Sequence, residues 1–210
     1  MTLTLPRCLQ NPDDADALRL LRRYYASGGN GTSAVGAWWD AFDPSGRRAD
    51  DADRFTSDDL VSLSLLSERV PGPAAHTLLV TDADRFAGLL ASVGPDRDLG
   101  EQAVPIEDDG AGSRLYDAVR KLDDMGPTRA SKLLARKRPR LFPIRDGVVE
   151  QVLGLGRDFW EPLRTVLRAD DSALDKRLGQ LHARAGLRPE VTRLRVLDVL
   201  AWREGKDRAL

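Results

Sequence analysis

The segment "LDDMGPTRASKLLARKRPRLFPIRDGVV", Leu122 to Val149, reads unlike the rest of the chain. Seven basic side chains fall between Arg129 and Arg145 with no carboxylate among them, and then comes a single acid, Asp146. Gly126 and Pro127 open a helical pattern, because proline fits a first helical position whose N–H has no intrahelical partner. Ala130, Leu133 and Leu134 mark an apolar face, which predicts a helix from Pro127 to about Arg136. Just upstream, Leu115, Ala118, Val119 and Leu122 form another apolar stripe that should end around Asp123, Asp124 and Met125. Two helices joined by so few residues make a helix–hairpin–helix by geometry.

Such a hairpin has specific physics. Free N–H groups at the start of the second helix point outward, where the helix dipole adds partial positive charge. Gly126 has no side chain to block an approaching phosphate. Arg129, Lys132 and Arg136 follow at spacings of three and four and so share one helix face. The expected nucleic-acid contacts are therefore Gly126, Thr128, Arg129, Lys132, Arg136, Lys137 and Arg138. Contacts of this kind add affinity and salt dependence without sequence readout. The bland alternative is a common Gly-Pro helix start followed by a solvated basic face.

Outward from this segment, charge divides the chain. Residues 1–112 carry a net −9 and residues 113–210 a net +8, although the whole is only −1. That asymmetry fits polyanion binding by the basic part. It fits equally well an attraction between the two parts inside one fold. An acidic helical part at 1–112 and a basic helical part at 113–210 are expected, or else one compact domain. "EDDGAGS" at 107–113 is the candidate boundary.

Nearly every periodic segment is helical. Leu18, Leu21 and Tyr25 share a face, as do Leu60, Leu63 and Leu66 after the capping pair Thr56-Ser57. Phe86, Leu89, Leu90 and Val93 form a further stripe. So do Phe159, Leu163, Val166 and Leu167, and Val191, Leu194, Leu197 and Ala201. "HTLLVTD" at 76–82 is the best strand candidate, but the prolines before it favour a helix start. The expected fold is all-α, a multi-helix orthogonal bundle of eight to ten helices. Trp38 and Phe42, four apart, are expected to pack on one helix face. The Gly-rich "SGGNGTS" at 27–33 reads as a helix–helix connection, since it lacks the Lys-Ser/Thr pair of a phosphate loop.

Other chemistry is sparse. Cys8 is the only cysteine, which excludes an internal disulfide and a thiolate metal site. His76 and His182 show no metal-ligand spacing. The acids Asp50, Asp51 and Asp53, and Glu107, Asp108 and Asp109, read as solvated loop charges, with pairing of the second group to the basic segment as the alternative. No apolar run reaches a membrane span, and the N-terminus lacks the pattern of a signal peptide, so a cytoplasmic location is expected.

The segment "MGPTRASKLLARKRPRLFPIRDGVV" resembles the helix–hairpin–helix region of the DNA glycosylase superfamily. Gly126 and Ala130 match the second hairpin glycine and the alanine of the following helix. Phe142-Pro143-Ile144 and Asp146 match the apolar-Pro-apolar approach and its acid. The whole chain also resembles an uncharacterised bacterial protein family without assigned activity. Two positions depart from the glycosylase pattern. Asp124 stands where the first hairpin glycine would be, so a phosphate there needs a bridging monovalent cation. Thr128 stands where bifunctional members carry a lysine nucleophile. The resemblance implies DNA backbone binding and, as an alternative, monofunctional glycosylase-like hydrolysis with Asp146 as the catalytic acid residue, without other cofactor or metal. A third reading is a non-enzymatic protein-interaction module. Asp146 is also a good N-cap for "GVVEQVL", and Arg145 beside it should keep it ionised.

Overall fold

The computed structural model describes residues 3–26, 34–102, 110–156 and 159–209. They form ten α-helices, with no strand among the described residues. These are α1 Arg7–Gln10, α2 Ala15–Tyr25, α3 Ser57–Ser62, α4 Gly72–His76, α5 Ala83–Val93, α6 Ala111–Arg120, α7 Gly126–Lys137, α8 Gly147–Leu153, α9 Trp160–Ala185 and α10 Arg193–Asp207. The all-α expectation holds. The "HTLLVTD" stretch is helical too: α4 runs into a π-helical turn at Thr77–Thr81, and the Thr77 hydroxyl donates to the Pro73 carbonyl at 3.0 Å. The Gly-rich turn at 27–33 and the acids at 107–109, with most of the candidate boundary, lie outside the described residues.

Side chains set several helix starts. At α3, Thr56 and Asp59 cap each other's backbone N–H groups. Asp146 accepts from the Val148 N–H to start α8, and Thr192 accepts from the Arg195 N–H to start α10. Near the middle of α9 the backbone leaves the helix at Ala169, and Asp170, Asp171 and Ser172 are left-handed.

The core draws on both ends of the chain. Leu21, Leu63, Phe86 and Leu90 from the acidic part share one buried cluster with Leu115, Leu133, Leu134, Phe142, Val196 and Leu200 from the basic part. The expected stripes are largely buried, but the aromatic pair is not as predicted. Trp38 is 59% exposed, and its neighbour Trp39 is buried instead. The cause is local: Val35–Trp38 is a 3₁₀ turn, where the four-residue register of an α-helix does not apply. Cys8, the second residue of α1, is buried, and burial pushes its thiol up to about 11.

α8 and α10 pack closely enough to need a glycine. A methyl group at Gly205 would meet Val148 Cγ1 at 2.1 Å and Val152 Cγ2 at 3.2 Å. Gly205→Ala is expected to cost roughly 1–3 kcal/mol through overpacking, read from a urea melt. An unchanged midpoint would mean the two helices separate freely.

The split of charge along the sequence is resolved inside the fold. Arg136 and Lys137 pair with Asp59, Arg138 with Asp53, Arg140 with Asp98, Arg129 with Glu68, and Arg195 with Asp40. In each pair the acid comes from the first part of the chain and the cation from the second. The attraction between the parts, weighed above as one of two readings, is present as these pairs.

Candidate functional site

α7 presents two sets of side chains. Its apolar face, with Ala130, Leu133 and Leu134 fully covered, enters the core as expected. The residues expected to form a solvent-facing basic stripe are largely interior as well, and that expectation is corrected. The side chains of Lys132, Arg136, Lys137 and Arg138 are each no more than 5% exposed. Arg136 reaches Asp59 at 3.4 Å and also donates to the carbonyls of Trp39 and Phe42. Lys137 Nζ lies 2.8 Å from Asp59. Arg138 bonds the carbonyls of Gly94 and Ala52 and the carboxylate of Asp53. Arg129, partly exposed, is held by Glu68 and by the Asp124 carbonyl. The physical reason is that the acidic part of the chain supplies buried acceptors that satisfy these cations first. Burial, followed by repulsion from Arg48, draws Arg136 down to about 10, and burial also lowers Lys137.

Residues 121–125 link α6 to α7, the two helices are in contact, and Gly126 sits at φ +61°. That angle favours glycine. Apart from its chain neighbours and its own helix backbone, no atom lies within 4 Å of where a Cβ on Gly126 would stand, and Pro127 is exposed. Thr128 follows, partly exposed, in the first turn.

From α7 the chain returns through Leu141, Phe142 and Ile144, all buried, to Asp146. Ser131 on α7 fixes this return: its hydroxyl accepts from the Arg145 N–H at 2.9 Å and donates to the Thr128 carbonyl at 2.9 Å. Asp146 is thereby held against α7. One of its oxygens accepts from the Val148 N–H at 3.1 Å, and the other lies 3.3 Å from Lys132 Nζ. Lys132 also donates to the Leu66 carbonyl at 3.1 Å and lies 3.8 Å from Glu68. The Arg145 side chain turns to Glu150 at 2.6 Å and to the Gly156 carbonyl. Lys132, one helical turn beyond Thr128, is the cation beside Asp146.

Asp146 and Lys132 open onto a cleft of about 410 Å³. Its other walls include Tyr24, Glu68, Arg195, Asp198 and Trp202. Arg195 is buried and organises one wall: it pairs with Asp198 and Asp40, donates to the Tyr24 hydroxyl at 2.8 Å and the Gly36 carbonyl at 3.0 Å, and lies over the Tyr24 and Trp39 rings. Burial raises the carboxyls of both Asp40 and Asp198, in each case opposed by Arg195. The neighbouring Asp146 carboxylate raises Asp198 further. Gly36 must be a glycine here, since a Cβ would stand 2.3 Å from the Tyr24 hydroxyl. These partners were not identified from the sequence. One signal was present: Arg195 and Asp198, three apart, interrupt the run "RLRVLDVLA", whose other side chains from Leu194 to Ala201 are all buried apolar ones. Charges at that spacing inside a buried helix pair with each other.

Among the described residues, no group of three His, Cys, Asp or Glu side chains is placed to hold a metal ion, and no helix is long and apolar enough to cross a membrane. No curated protein and no solved structure matches the chain. A family model does match over residues 17–205, which takes in every element from α2 to the last turn of α10: the chain belongs to DUF6308, a family of unknown function.

Proposed function

We propose that the Asp146 cleft receives a nucleoside unit of a nucleic acid and that the protein hydrolyses its N-glycosidic bond. The observation that carries this reading is the placement of Asp146. Its carboxylate is fixed by a backbone N–H and by Lys132, and it forms part of the wall of a cleft large enough for a base and sugar. The Tyr24 and Trp202 rings offer apolar surface for a planar base, and Arg195 and Asp198 offer polar contacts. As the C1′–N bond breaks, its electron pair leaves with the base and positive charge gathers on the sugar. Asp146 stabilises that charge, water adds at C1′, and the water's proton leaves to solvent or the carboxylate. The partner is DNA in the first instance, by the resemblance of the 122–149 segment to glycosylases.

The test is base release from a panel of damaged and mismatched duplexes. Asp146→Asn is expected to keep the fold, because asparagine is also a good N-cap. It should lower the release rate by about 10²-fold or more, the scale at which a positioned catalytic group acts. Absence of release by the wild type across the panel, or equal rates for the two proteins, would overturn the reading.

A second reading, backbone binding without catalysis, rests on the open, left-handed Gly126 at the start of α7. The amides of Gly126, Thr128 and Arg129 would seat a phosphate there, with a monovalent cation against Asp124. It requires duplex affinity that falls with salt, with a shallow slope, because Lys132, Arg136, Lys137 and Arg138 are committed to internal partners. A steep slope would place the contacts on other cations.

A further inference from the structure

On the other side of the Val35–Trp38 turn lies a second cleft, of about 830 Å³. Its walls include Arg22, Tyr25, Trp38, Asp40, Phe42 and Arg188. Trp38 is 59% exposed on this wall, an unusual position for the largest apolar side chain in a chain whose neighbouring Trp39 is covered. The charges divide unequally. Both carboxylates are already engaged: Asp40 accepts from the Tyr25 hydroxyl at 3.1 Å and pairs with Arg195, and Asp43 accepts from the backbone N–H groups of Arg47 and Arg48. The cations are not. Arg22 spends one N–H on the Arg184 carbonyl at 2.9 Å and has no carboxylate partner among the described residues. The Arg188 side chain is exposed and has no partner among them either. A flat aromatic face and two guanidinium groups without a carboxylate partner among the described residues therefore line one cavity, whose acids already accept from other groups.

We propose that this second cleft binds a nucleotide, with the base stacked on Trp38 and the phosphate held by Arg22 and Arg188. Base–aromatic stacking accepts any base, and a guanidinium suits a phosphate through paired N–H donors. The site is separate from the Asp146 cleft and does not depend on the reading given for it. The same chemistry could come from a free mononucleotide or from one nucleotide of a single strand, and the two sources are distinguished below.

The test is calorimetric titration of the full chain with adenosine monophosphate and, separately, with a short single-stranded oligonucleotide. Saturable binding of either supports the site. Binding of the mononucleotide identifies a small-molecule site, and binding of the oligonucleotide alone identifies a strand groove. In both cases Trp38→Leu and the double variant Arg22→Gln/Arg188→Gln should weaken binding at least tenfold. These side chains are exposed, so the variants should keep the wild-type melt. Absence of saturable binding, or affinity untouched by the Trp38 and arginine variants, would overturn the proposal.

Discussion

Replacing Asp59 with asparagine should lower the unfolding free energy by roughly 3–5 kcal/mol, the scale for a buried charge left without its partner. One carboxylate does four things here. It accepts from the Thr56 N–H at 2.9 Å and the Thr56 hydroxyl at 3.0 Å, which starts α3. It also neutralises Arg136 and Lys137, which are as buried as it is. Asparagine preserves shape and can keep part of the cap, so the loss reports the charge. Arg136 retains the carbonyls of Trp39 and Phe42, but Lys137 loses its one carboxylate. The neighbouring Asp58→Asn is the control: Asp58 is part-exposed and accepts only from the Ser45 N–H, so its change should stay below about 1 kcal/mol. Urea melts of the three proteins decide the matter, and a difference under about 1 kcal/mol for Asp59→Asn would show that the cations find other acceptors.

Arg195→Met should be comparably costly, roughly 3–5 kcal/mol near neutral pH, and its cost should depend on pH in a stated direction. Removing the guanidinium takes away the one cation paired with both Asp40 and Asp198 and leaves only the weaker pull of Arg48 on the first and Lys132 on the second. Burial already raises both carboxyls above their ordinary value, and Arg195 is what restrains that rise. Without it both rise further, so the folded state holds protons that the unfolded state has released. Stability carried by a raised carboxyl is fully present below the unfolded value and is lost as pH rises through the folded one. The deficit of the variant should therefore shrink as pH falls from about 8 to about 5, within the limit that other carboxylates set. Adding Asp40→Asn and Asp198→Asn to the variant should recover stability at neutral pH. A deficit that does not vary with pH would mean that lost packing over Tyr24 and Trp39, not charge, sets the cost.

The sequence conveyed the helices better than the site. Apolar stripes such as Val191, Leu194, Leu197 and Ala201 predicted buried faces because they repeat at the helix's own period. Gly126-Pro127 and Asp146 were legible for the same reason: each answers a local backbone requirement. The cations were not. A lysine or arginine at a helical spacing has the same pattern whether it faces water or a carboxylate from a distant element, and Asp59 lies far from Lys137 in the chain. Local periodicity carries no information about that partner. The net charges of the two parts did carry it, but in aggregate and without assigning pairs. Trp38 failed differently. Its spacing from Phe42 was read on an α-helical wheel, and a 3₁₀ turn rotates it outward.

The pairing of acidic and basic parts has a consequence for synthesis. The acidic part leaves the ribosome first, when the cations that must accompany Asp53, Asp59 and Asp98 into the fold have not yet been made. Until then those carboxylates stay hydrated, because burying them unpaired is costly. Those carboxylates gain their partners only once α7 and the segment that follows it have been made, and low salt, which strengthens the attraction, should hasten the pairing.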